Sequence, residues 1–97
     1  MTDHGDGEDV LRRELEIKNV YGIHARPAAL FVKAASRHNA EVTVEKDGSS
    51  VSGKSIMGLM TLQASRGTKL TVTARGVDAE IVLDELTELV ENKFDEE

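Results

Sequence analysis

Histidine, arginine and proline are packed into one short stretch, Gly22-Ile23-His24-Ala25-Arg26-Pro27-Ala28. An imidazole is a nucleophile while uncharged, and its ordinary pKa of about 6.5 leaves much of it uncharged near pH 7. Pro27 predicts the first position of a helix, where the N–H it lacks would have no partner anyway. The alanine-rich run from Ala28 to Ala35 continues that helix. His24 therefore falls at or beside the N-cap, where free backbone N–H groups and the positive end of the helix dipole meet. Such a place attracts anions, phosphate above all, and Arg26 adds a guanidinium. The chemistry this predicts is a histidine that takes up a phosphoryl group.

The magnitudes favour carriage over storage. A phosphorylated ring bears roughly −2 charge. A helix end contributes about 0.3–2 kcal/mol toward holding it, and a charge-assisted bond from Arg26 about 1.5–3 kcal/mol. Each further ~1.4 kcal/mol of grip would cost tenfold in passing the group on. A lone histidine before a helix is most often a plain turn residue; here the arginine and proline beside it point to chemistry.

Composition narrows the rest. Ninety-seven residues suffice for one domain with a single core. The net charge of −6 argues against nucleic acid or a membrane surface as the partner. There is no cysteine, so a disulfide framework or thiolate metal site is excluded. The scattered His4, His24 and His38 suggest no metal site, and no cofactor is expected. No apolar run approaches the ~20 residues of a membrane span, and the N-terminus does not resemble a signal peptide. The expectation is a cytoplasmic monomer.

The elements that must position His24 follow from periodicity. Residues 1–12, acidic and aperiodic, read as a disordered tail, with the domain at 13–97. Leu15 and Ile17 alternate as a strand, and Asn19 to Ile23 turn into the first helix. On that helix Ala28, Phe31, Val32 and Ala35 form the apolar stripe, with Lys33, Ser36 and Arg37 toward water. Val42 and Val44 alternate in a second strand, Asp47-Gly48-Ser49 turns, and Val51 returns. Ser55 to Leu62 is a short helix, and Leu70, Val72 and Ala74 mark a fourth strand. Asp78 is the expected N-cap of a last helix with Ala79, Val82, Leu83, Leu86, Leu89 and Val90 inward. Asp95 to Glu97 are expected to fray. The order β-α-β-β-α-β-α implies a two-layer α+β domain.

Gly22 to Ala28 closely resembles the active-site signature of the HPr family of phosphocarriers of the bacterial phosphoenolpyruvate-dependent phosphotransferase system. Lys54-Ser55-Ile56-Met57-Gly58-Leu59-Met60 is similar to that family's regulatory serine region. The resemblance runs from about Leu15 to Val90. It implies an open-faced β-sandwich, a four-stranded antiparallel sheet covered on one face by three helices. It also implies that His24 takes phosphate on Nδ1 from phosphorylated enzyme I and passes it to enzyme IIA domains. Arg26 would steady the group, and Pro27 would set the helix start. By the same resemblance Ser55 would be the target of an HPr kinase/phosphorylase, with transcriptional regulators as further partners. Two departures stand out: Gln63, where many relatives carry glycine, and the longer N-terminal tail.

The short helix carries more apolar side chains than it can bury. Its spacing sends Leu59 and Leu62 inward and leaves Ile56, Met57 and Met60 for partners, methionine suiting a surface that adapts to several. Lys33 and Lys54 would supply local positive charge. Ser55 could equally be only a helix cap. Nothing else in the chain supports self-contained catalysis. Two alternatives remain: a regulatory, nitrogen-type signalling module of the same system, and a small-molecule-sensing α+β domain, which leaves the His24 stretch unexplained.

Overall fold

The computed structural model describes residues 10–96. Four strands, β1 (Val10–Glu16), β2 (Glu41–Lys46), β3 (Ser49–Ser52) and β4 (Lys69–Arg75), form one antiparallel sheet in the order β1-β4-β2-β3. Three helices accompany it, α1 (Ala25–Ser36), α2 (Ile56–Thr61) and α3 (Ala79–Glu91), followed by a 3₁₀ turn at Lys93–Asp95. This is the open, four-stranded α+β architecture expected from the sequence.

Alternation divides the sheet into a dry and a wet face. Leu15, Val42, Val44, Leu70, Val72 and Ala74 are buried, whereas Glu14, Glu41 and Glu45 are exposed. The helices press Ala28, Phe31, Leu59, Val82, Leu83, Leu86 and Val90 into the same core. Alanines at 28, 34 and 35 of α1 are buried. Val32 and Leu89, expected inside, are only partly buried at its margin. Asp47 and Gly48, with φ of 50° and 86°, make the two-residue turn between β2 and β3.

Several expectations need correction. The sequence suggests a tail to Arg12, but β1 begins at Val10, because β4 is long enough to pair Val10, Leu11 and Arg12 with Arg75, Ala74 and Thr73. Residues 1–9 lie outside the described residues. Pro27 is the third helical residue, not the first: α1 opens at Ala25, and Ala28 N–H donates the first helical bond to His24 O at 3.0 Å. A proline is tolerated at that third position because its N–H would still lie among the unpaired ones. Asp95 and Glu96 are also placed in the fold, with Phe94 of the 3₁₀ turn 0% exposed.

The ends of the helices are tied by side chains. Asp78 stands at the N-cap position of α3 but does not cap it; its Oδ2 accepts from Asn39 N–H at 2.7 Å. His38, just past the end of α1, meets Glu85 of α3 at 2.6 Å, and Arg37 pairs with the same carboxylate.

Candidate functional site

The His24 turn is built from two interlocked backbone features. Gly22 adopts φ +67°, and a Cβ there would stand 2.3 Å from the Ala64 carbonyl oxygen. That same oxygen accepts from Ile23 N–H at 2.9 Å. Only glycine lets the turn lie this close to the Ala64–Ser65 loop. Asn19, fully buried, closes the turn from beneath: its backbone oxygen accepts from Gly22 N–H at 3.2 Å, and its Nδ2 donates to Gly22 O at 2.8 Å.

The chain leaves this turn with His24 as the N-cap of α1. Its side chain makes no capping hydrogen bond, so the helix does not occupy the ring. The amides of Ala25 and Arg26 open the helix and have no i−4 partner within it. Arg26 is exposed and pairs with no carboxylate among the described residues. Its side chain and the His24 ring line a cleft of about 610 Å³ with Val20, Tyr21, Asp95 and Glu96. Tyr21 meets the imidazole edge-on, ring centres 6.3 Å apart at 89°.

One neighbour reverses an expectation. The sequence promised only positive surroundings for His24, yet Glu96 Oε2 lies 3.0 Å from His24 Nε2. An ionised carboxylate has no proton to give, so the ring N–H is the donor. The other carboxylate oxygen, Oε1, accepts from Asn19 Nδ2 at 3.0 Å. Glu96 and the functional part of Asn19 escaped sequence reasoning. Asn19 carried a weak signal as a turn-forming residue, whereas Glu96 sits in an acidic stretch that looks merely solvated.

Ser55 is the N-cap of α2, and its hydroxyl oxygen accepts from Gly58 N–H at 2.9 Å. Beyond it the apolar residues divide: Leu59 and Leu62 are buried, while Ile56, Met60 and Met57, the last 75% exposed, face outward. Lys33 lies two turns along α1 from Arg26 and lines a cleft toward α3 with Arg37, Glu85, Glu88 and Asp95. Lys54 lines a different cleft with Asn39, Glu41 and Arg75. Among the described residues no group of three or more His, Cys, Asp or Glu could hold a metal ion, and no helix is long and apolar enough to cross a membrane.

Known proteins resemble this chain in sequence and fold. The family model described as the PTS HPr component phosphorylation site matches residues 11–92. The phosphocarrier protein HPr of Borreliella burgdorferi is 49% identical over 83 residues, covering 86% of this chain and 96% of its own. A crystal structure of HPr from Thermoanaerobacter tengcongensis superposes with a TM-score of 0.86 at 47% identity, covering 90% of this chain and 98% of that one. Crh, a catabolite-repression protein of Bacillus subtilis, crystallised as a swapped dimer, superposes with a TM-score of 0.70 at 43% identity, over 86% and 95% of the two chains.

Proposed function

The chain belongs to the HPr family of phosphocarrier proteins, and from that premise we propose that His24 relays a phosphoryl group from phosphorylated enzyme I to enzyme IIA domains. The carrying observation is the His24 ring itself. His24 stands at the N-cap of α1 with its ring making no capping bond, and that ring opens onto a cleft with Arg26 and two unpaired helix amides beside it. A group arriving on Nδ1 meets the positive helix end and a guanidinium. Asp95 and Glu96 on the same cleft wall keep the net attraction modest, which suits a group that must leave again. The protein is a carrier, so the catalytic machinery for each transfer belongs to donor and acceptor.

Exposed Ile56, Met57 and Met60 offer the adaptable apolar surface that successive partners need. Ser55 is the proposed regulatory position, for an HPr kinase/phosphorylase and the transcriptional regulators that would read it. A phosphate there would keep the capping role while adding charge beside that surface. Likeness to Crh supports a second, regulatory reading, in which phosphorylation signals without feeding sugar uptake. The acceptors distinguish the two: transfer to a sugar permease's IIA domain excludes pure signalling. We take the working state to be a cytoplasmic monomer.

Incubation with enzyme I, phosphoenolpyruvate and Mg²⁺ should give an acid-labile, base-stable adduct at His24. His24→Ala should abolish labelling with the fold intact. Arg26→Ala should slow it by about 10- to 100-fold, the equivalent of one charge-assisted bond. An unlabelled wild type beside a competent enzyme I refutes the reading.

A further inference from the structure

We infer that Glu96 is a positioning residue for phosphoryl transfer, holding the proton of His24 on Nε2 so that Nδ1 is the nucleophilic nitrogen throughout the cycle. This rests on the carrier reading above but concerns a residue that lies beyond the matched family segment, residues 11–92.

The geometry begins behind the site. Phe94 is fully buried and pins the segment after α3 to the core. Lys93, Phe94 and Asp95 take φ of 57°, 54° and 60°, a left-handed turn that brings the chain back toward the start of α1. Left-handed backbone is unfavourable for such residues, so burial of the phenyl ring must hold the turn in place. Glu96 emerges from it with its carboxylate between two donors, Asn19 Nδ2 at 3.0 Å and His24 Nε2 at 3.0 Å. Asn19 cannot readily rotate away. Its amide is fully buried and also donates to Gly22 O, leaving Oδ1 with no partner among the described residues. The order Asn19, Glu96, His24 is thus a chain in which each member fixes the next. Orientation of a histidine through its second nitrogen is a general device for setting the tautomer.

The contact does not serve stability. The His24 side chain is 44% exposed and that of Glu96 20%, and ion pairs so open to water contribute little. Its effect falls on the chemistry. With Nε2–H donated to Glu96, the lone pair lies on Nδ1. As Nδ1 attacks phosphorus, the new N–P bond forms while the donor's N–P bond breaks and its electron pair returns to the donor nitrogen. The His24 ring then carries positive charge with its Nε2 proton in place, facing the carboxylate. In the onward step the Nδ1–P bond breaks, the pair returns to Nδ1, and a neutral imidazole departs. Without the Nε2 proton the leaving group would be an imidazolate, far more basic and far slower to leave.

The test uses ¹⁵N-labelled full-length protein carrying Glu96→Ala or Glu96→Gln. Ring ¹⁵N shifts of unphosphorylated His24 should report the Nε2–H form in the wild type and a tautomer mixture in Glu96→Ala. Glu96→Gln still offers an acceptor oxygen and should keep the tautomer while losing the charge. Both variants should take phosphate from enzyme I about tenfold more slowly, the scale of losing a group that orients a reacting ligand. An unchanged tautomer in Glu96→Ala, or transfer within twofold of wild type in both variants, overturns the inference. Should wild-type His24 fail to label at all, the carrier reading falls, and the ring shifts still decide whether Glu96 sets the tautomer.

Discussion

At the scale of single residues, the site depends on how tightly two backbone segments approach one another. Gly22 has a left-handed φ and a carbonyl oxygen where its Cβ would be. Gly22→Ala should therefore cost about 1–3 kcal/mol from backbone strain alone, with the collision at Ala64 adding to it. Urea unfolding would measure the loss, and phosphoryl uptake should fall more than stability does, because the displaced turn carries His24. His24 and Arg26 were legible from local spacing, since a helix start is written in a few neighbouring residues. Glu96 was not. It stands 72 residues from His24, and only the core packing of Phe94 brings the two together. Nor could the side chain of Asn19 be assigned a task before its acceptors were known.

Short elements depend on their ends more than on their length. Helix α2 has six residues, too few to persist alone in water. Ser55 closes its start. At its far end Lys46 Nζ donates to Leu62 O at 2.9 Å and Gln63 O at 3.3 Å. Gln63 holds φ at 53° just past that end, the position where glycine is favoured. The sequence marked this residue as a departure, and the backbone shows its cost. Gln63→Gly should stabilise the protein by about 1 kcal/mol, read as a higher melting temperature with phosphoryl uptake unchanged. Helix existence, apolar stripes and the division of α2 between core and surface were all readable from 3.6-residue spacing. Where each helix starts was less so, because Pro27 is acceptable at several first-turn positions and only the observed hydrogen bond to His24 O distinguishes them.

Across the whole molecule, β1 lies at one edge of the sheet and β3 at the other. β1 pairs with β4 over all seven of its residues, from Val10 opposite Arg75 to Glu16 opposite Lys69. Arg13 adds bonds to Asp84 and Thr87 of α3 at 3.0 and 2.9 Å. Releasing the strand would sacrifice all of these at once, and Arg12, Glu14 and Glu16 make its side-chain rows poor templates for a second strand. Light scattering of the purified protein should accordingly give the mass of one chain, against the swapped assembly seen for Crh. Sheet order was the one global property that periodicity could not supply, since alternation fixes which side faces inward but not which strand lies beside which.

That order has a consequence for how the protein comes into being on the ribosome. The central strand β4 is the last of the four to be made, and both β1 and β2 wait for it. A nascent chain that has emerged only as far as α2 can close the β2–β3 hairpin and little else. The turn bearing His24 gains its support at Ala64 later, and its carboxylate later still. A chain made only as far as α2 thus lacks both the Ala64 support of the His24 turn and the Glu96 contact to its ring.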